Sequence, residues 1–100
     1  SIDCKAVTRL EQINTDAITL APKQSAKINI DIVAELVDEI VLINDSDMRK
    51  SARWLFNEMG IAAELSGAAA VATLQTGAVY VPNNQTVAAI VCGRGFDGII

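Results

Sequence analysis

Residues 87–95 read VAAIVCGRG, an apolar run that ends in a glycine-containing loop. Polar residues at 83–85 precede the run, and its length and composition are typical of a strand covered on both faces. Ligands of open α/β sheets bind just outside the carboxyl ends of such strands. We therefore expect a buried strand here, with Cys92 at the end where a ligand would bind.

The rest of the chain alternates between short apolar runs and helical patterns. The mostly apolar residues 17–20 and the fully apolar run at 40–43 predict two further strands. Helical spacing, capping residues and glycines predict three helices. The first is 30–36 with Asn29 as its cap, the second is capped by Asp45 or Ser46 and stopped by Gly60, and the third is 67–76, capped by Ser66 and ended by Gly77. Strands that alternate with helices predict the α/β class, with parallel crossover connections.

Size and composition indicate one small domain or fragment over residues 1–100. Apolar residues make up 51% of the chain, which is high for so short a sequence. Large exposed apolar patches are rare on monomers. Another chain or domain is therefore expected to cover part of this surface, although the alanine content alone is an alternative explanation.

Charge and residue types exclude several classes of function. The net charge is −4 and the chain has four aromatic residues, so the sequence lacks the basic and aromatic surface typical of nucleic-acid-binding proteins. No apolar run approaches the roughly 20 residues of a membrane-spanning helix. The chain lacks histidine, which rules out Ser-His-Asp catalysis and a His-ligated metal within it. No signal peptide opens the sequence, and Cys4 and Cys92 form no disulfide framework, so we expect a cytoplasmic setting.

Three features near the carboxyl end have both a structural and a functional interpretation. Gly93, Gly95 and Gly98 spell G-x-G-x-x-G, but the helix that a dinucleotide site requires does not follow, so a turn is the better interpretation. Cys92 is either an inert buried thiol or a group that faces a ligand. Glu64, in an apolar stretch, is either a buried acid with functional chemistry or a solvated residue at a helix mouth. The acidic residues at 38–39 and 44–47 are typical of turns and caps, and no metal site is expected.

Four segments of the chain, in order and at matching spacing, together carry a resemblance to a known family. The sequence resembles the carboxy-terminal part of pyridoxal-phosphate-dependent serine and threonine dehydratases, which have the tryptophan-synthase-β-like fold called fold type II. The matching segments are AVTRL at 6–10, LVDEIV at 36–41, GIAAELSGAAA at 60–70 and IVCG at 90–93. This resemblance implies a three-layer α/β/α arrangement with parallel strands, as part of the large domain of such an enzyme.

The resemblance also implies roles for individual residues. Cys92 matches the strand-end residue that faces the pyridine nitrogen of pyridoxal 5'-phosphate, and Gly93 carries the turn beside it. Glu64 matches the glutamate that lies close to the cofactor ring. Cys4 stands where many members have a glycine against the ring. A neutral partner such as a thiol leaves the pyridine nitrogen largely unprotonated, which favours β-elimination over competing carbanion chemistry.

Departures from the family pattern shape the expected activity. Leu65 replaces the usual proline, and Gly95 replaces an asparagine. The Ser-Phe-Lys segment with the Schiff-base lysine and the glycine-rich phosphate loop do not occur in the sequence. No catalytic residue is therefore assigned to this chain, and we expect the chain to be inactive alone.

The expected function is that of a segment of a lyase that deaminates threonine or serine to a 2-oxo acid and ammonia. Its partners would be the remainder of the enzyme or a second copy of the chain in a homo-oligomer, together with a small amino-acid substrate. Two alternatives stay open from the sequence. One is a segment of a threonine-synthase-like enzyme, and the other is a non-catalytic remnant that acts as an oligomerising or interaction module.

Overall fold

The computed structural model describes residues 16–17 and 26–100. The chain divides into two units, Ser1–Ile40 and Val41–Ile100. Helix α1 belongs to the first unit, and helices α2 and α3 belong to the second. Among the described residues, none of the helices has the length and apolar character needed to cross a membrane.

Helix α1 spans Lys27–Leu36 and confirms the helix predicted over 30–36. It begins earlier than predicted, after Ala26 in an extended conformation, and no side chain caps it. The prediction that Asn29 is the cap was wrong, because Asn29 already lies in the first turn and its amide bonds to the Ala26 carbonyl at 3.1 Å. An ion pair between Lys27 and Asp31, one turn apart at 2.7 Å, supports this earlier start.

Helix α2 spans Asp45–Met59 and is the longest described element. Its cap is Asn44, which lies one or two residues before the predicted Asp45 or Ser46, and the Asn44 side-chain oxygen accepts from the Asp47 amide at 2.8 Å. Gly60 ends the helix in the left-handed conformation with φ at 68°, as predicted. The helix buries one face, formed by Met48, Ser51, Ala52 and Leu55.

The predicted helix over 67–76 forms as two pieces. A 3-10 helix at Ser66–Ala68 runs directly into α3, Ala69–Gln75, and Gly77 follows with φ at 74°. A hydrogen bond joins α2 to α3: the buried Ser51 hydroxyl donates to the Gln75 side-chain oxygen at 2.6 Å. A buried hydroxyl that finds a partner avoids the desolvation penalty of an unmade hydrogen bond.

The core of the second unit is small and is built around the inner face of α2. Two alanines from the segment after α2 complete it, and two half-buried valines pack against it. Its members are Ala52, Leu55, Ala63 and Ala68, with Val71 and Val91 at the edge. Short side chains at these positions bring the segment 63–68 and the chain near 91 close to the helix backbone.

The predicted strands at 40–43 and 87–92 do not form in the described part of the chain. Leu42 is 95% exposed and Ile90 is 78% exposed, so neither run is buried as predicted. The described residues instead contain one isolated antiparallel bridge, between Ala63 and Arg94. A parallel strand takes its hydrogen bonds from neighbouring strands, and no described segment lies beside these runs as a partner strand. The predicted strand at 17–20 lies outside the described residues except for Ala17.

Two leucines of the second unit, in opposite environments, test this core. Leu55 is 2% exposed within the core cluster, whereas Leu42 is 95% exposed. We expect Leu55→Ala to lower the free energy of unfolding by about 2–5 kcal/mol, because it removes buried methyl groups and leaves a cavity. The same change at Leu42 should cost less than about 0.5 kcal/mol. Urea denaturation of both variants measures the difference, and equal losses would contradict the assigned core.

Candidate functional site

Two segments of the second unit meet in a short antiparallel pairing. The Glu64 amide donates to the Gly93 carbonyl at 2.9 Å, and the Gly95 amide donates to the Ala62 carbonyl at 3.2 Å. Ala63 and Arg94 face each other between these two bonds. This pairing brings Glu64 directly against Gly93, although 29 positions separate them in the sequence. Cys92 and Gly93 are called the Cys92–Gly93 turn, because the chain changes direction at the left-handed φ of Gly93, 68°.

Glycine is required on both sides of this contact. Gly93 has φ at 68°, and a Cβ atom there would overlap the Glu64 carboxyl group. Gly67, at the start of the helical segment, lies so close to the Cys92 carbonyl that a Cβ atom there would overlap its oxygen. The neighbour of Gly67 is the Cys92 backbone and the neighbour of Gly93 is the Glu64 side chain, so a side chain at either glycine would displace its neighbour.

The side chains predicted for the site are unequally exposed. The Cys92 thiol is free and exposed in this chain. Glu64 is half-buried and lies against Gly93. Cys4 lies outside the described residues. An open groove of about 200 Å³ runs along the pairing and is lined by Ile61, Ala62, Ala63, Val91, Cys92, Gly93 and Arg94.

The start of the helical segment is held by a residue that the sequence did not single out. The Leu65 amide donates to the Asp97 carboxylate at 2.9 Å. The prediction that Ser66 caps this helix was wrong, because the helical turn already includes Leu65, at φ −55° and ψ −47°. A capping residue needs an extended backbone. The sequence does show Asp97 as an aspartate in a glycine-rich segment, but no local sequence pattern connects Asp97 with Leu65.

Substitutions at two glycines with the same φ distinguish the cost of backbone strain from the cost of steric overlap. Gly60 and Gly93 both have φ at 68°, but nothing lies within 4 Å of a Cβ atom at Gly60. We expect Gly60→Ala to cost about 1–2 kcal/mol from the left-handed backbone alone. Gly93→Ala should cost about 1 kcal/mol more, because the Glu64 side chain must move away from the added methyl group.

Chemical denaturation of both glycine variants of the full chain measures these losses. Gly77→Ala, with φ at 74° and open surroundings, is a second control and should match Gly60→Ala. A Gly93→Ala chain no less stable than the two controls would show that Glu64 does not lie against this turn.

Comparison with known proteins identifies the family. The family model described as pyridoxal-phosphate dependent enzyme matches residues 1–93. The chain is 38% identical, over 69 residues, to the protein named L-threonine dehydratase catabolic TdcB of Escherichia coli strain K12, and equally to those of strains O6:H1 and O157:H7. Each match covers 67% of this chain and 21% of the relative, so the chain spans about a fifth of the length of these curated relatives.

No solved structure matches the chain. The family match confirms the resemblance stated from the sequence, and it implies the α/β class and pyridoxal phosphate as cofactor. Because the family model covers nearly the whole chain, this protein belongs to the pyridoxal-phosphate dependent enzyme family.

Proposed function

We propose that residues 1–100 form a segment of the catalytic domain of a pyridoxal-phosphate-dependent ammonia-lyase that deaminates threonine or serine to a 2-oxo acid and ammonia. The family match supports the cofactor, and the similarity to L-threonine dehydratases supports the substrate class. The chain spans about a fifth of those relatives, and the activity proposed is that of the complete enzyme.

The observation that carries the proposal is the contact between the Cys92–Gly93 turn and Glu64. The turn has an exposed thiol at its start and a glycine directly after it, beside an open groove. Glu64 is held on the other side of this turn by the hydrogen bond that its backbone amide donates to the Gly93 carbonyl. These residues fit the ring-facing edge of a pyridoxal phosphate site, because a planar ring needs close approach to backbone and a polar group at its nitrogen.

The proposed role of Cys92 is to face the pyridine nitrogen with a neutral group. When bound, pyridoxal phosphate supplies the electron sink for loss of the substrate's β-substituent. A thiol there would leave the nitrogen largely unprotonated and would weaken the electron sink, which favours elimination over competing carbanion chemistry. Glu64 is proposed to lie near the ring, and Cys4 to lie against it.

The exposed apolar side chains support the remainder of the proposal. Leu42, Tyr80 and Ile90 are each largely exposed. So many exposed large apolar side chains are unusual for a chain of this length. We propose that the rest of the large domain covers them, with 40–43 and 87–92 completing a parallel sheet in a three-layer α/β/α arrangement. The chain alone would then be inactive and would associate, with the remainder of the enzyme or with a second copy in a homo-oligomer. A cytoplasmic setting is proposed for the complete enzyme.

A hybrid enzyme tests this function. The region of the Escherichia coli dehydratase that corresponds to this chain is replaced by the chain itself, and ammonia release from threonine and serine is measured. We expect Cys92→Ser to keep most of the hybrid's activity, because serine makes the same neutral contact. Cys92→Ala should weaken cofactor binding by about 0.5–1.5 kcal/mol. Cys92→Asp should protonate the nitrogen and change the ratio of elimination to side reactions.

The control for the added charge is Asn83→Asp, at an exposed residue outside the groove, which should leave cofactor affinity and turnover unchanged. In a second arm, Glu64→Gln should lower turnover more than it lowers the stability of the hybrid. Indifference of turnover and cofactor affinity to Cys92→Asp would contradict the placement of the cofactor. A folded hybrid that binds no pyridoxal phosphate would favour a non-catalytic interaction module instead.

A further inference from the structure

We propose that Asp97 is a positioning residue of the candidate site, which fixes Glu64 relative to the Cys92–Gly93 turn through its bond to the Leu65 amide. The proposal rests on the proposed function, because the position of Glu64 matters to a cofactor only if that function is correct. Asp97 does not line the groove, and it would act through the backbone of the neighbouring segment.

The first argument is the burial of the bonded amide. Leu65 is 1% exposed, so water has little access to its backbone. An amide at the start of a helical turn has no partner within that turn. The Asp97 carboxylate, 32 residues away in the sequence, supplies the partner at 2.9 Å. Without it, a buried donor would be left unsatisfied, and the segment would shift to find another acceptor.

The second argument is the arrangement of consecutive amides. The Glu64 amide bonds to Gly93, and the next amide along the chain, that of Leu65, bonds to Asp97. The backbone on both sides of the Glu64 Cα atom is therefore tied to the same carboxy-terminal segment, 93–97. Two ties at successive residues restrict rotation as well as distance, which one tie alone would not do.

The third argument is that Asp97 is itself held in place. Gly98 is buried against the backbone of α2, where a Cβ atom would overlap the Ala52 carbonyl oxygen. The amide of Ile99 also bonds to the Phe96 carbonyl at 3.0 Å, which closes a turn around Asp97. The carboxylate thus extends from a turn that is anchored to a helix. Because a side chain makes this bond to the Leu65 amide, a substitution at residue 97 can remove it.

The test uses the full chain without cofactor and compares Asp97→Ala, Asp97→Asn and a control, Asp38→Ala. Asp38 is an exposed aspartate of the first unit, and its replacement removes the same charge. Amide hydrogen exchange is followed by NMR at Leu65, Glu64 and Gly95, with the mid-helix amide of Ala52 as an internal reference. Urea denaturation of each variant gives the overall stability.

We expect Asp97→Ala to speed exchange at Leu65 roughly tenfold relative to Ala52, the effect of losing about one hydrogen bond. Exchange at Glu64 and Gly95 should rise as well, because the pairing beside Leu65 loosens. Asp97→Asn keeps a side-chain oxygen as acceptor and should restore most of the protection. Asp38→Ala should leave all four amides as they are in the parent chain.

Unchanged exchange at Leu65 and Glu64 in Asp97→Ala would overturn the proposal. A uniform rise that includes Ala52, or an unfolded Asp97→Ala chain beside a folded Asp97→Asn chain, would show a general structural role and would overturn it too. None of these measurements involves pyridoxal phosphate. A hybrid enzyme that fails to bind the cofactor would therefore refute the proposed function, and the amide-exchange result for Asp97 could still be interpreted.

Discussion

The antiparallel pairing of residues 62–64 with residues 93–95 is the constraint on which the rest of the second unit depends. It consists of two backbone hydrogen bonds, at 2.9 and 3.2 Å, around the facing pair Ala63 and Arg94. The end of the chain is thereby held beside the segment that leads into α3. Without this pairing, Cys92 and Glu64 would have no fixed relation, and the groove beside Cys92 would lose the wall formed by residues 61–63.

The packing around the pairing depends on small residues. Ala52, Ala63 and Ala68 are buried in the core, and Gly67 and Gly98 lie in contact with carbonyl groups of neighbouring segments. Interiors pack at crystal-like density, so even one added methyl group at such a position is felt. The high alanine content therefore has a structural purpose in this unit, since it lets backbone segments approach closely. It does not account for the large apolar side chains that remain exposed.

The helices could be predicted from the sequence because their signals are local. The 3.6-residue spacing of apolar side chains and the stop at Gly60 predicted α2 almost to the residue. The predicted apolar stripe was Met48, Ala52, Leu55, Phe56 and Met59, and the structure buries its first three members but exposes the last two. Caps were placed less accurately, since which of Asn44, Asp45 and Ser46 becomes the cap depends on where the backbone turns from extended to helical. Whether the strands form could not be predicted, because a strand needs a neighbouring strand as its hydrogen-bonding partner. No local sequence pattern shows whether that partner is present.

Part of the candidate site could be predicted from the sequence, and the part that depends on contacts between distant residues could not. Cys92, Gly93 and Glu64 were singled out from their positions and from the family resemblance, and the structure brings Glu64 and Gly93 into contact. Their roles toward the cofactor remain a prediction. Asp97 was missed, because a bond across 32 residues leaves no trace in sequence spacing. Contacts that depend on how the chain returns on itself can be identified only from the fold.

An engineered disulfide tests the pairing most directly. Facing residues between two such hydrogen bonds have Cα atoms about 4.5 Å apart, a separation that a disulfide can bridge. In a chain with Cys4 and Cys92 replaced by serine, we expect Ala63→Cys with Arg94→Cys to form an intramolecular disulfide on mild oxidation, detected by mass spectrometry.

The matched control is Ala62→Cys with Arg94→Cys, in which the first side chain points to the opposite face and the thiols should stay unlinked within one chain. Failure of the first pair to close, or equal closure of the control pair, would contradict the pairing and with it the site.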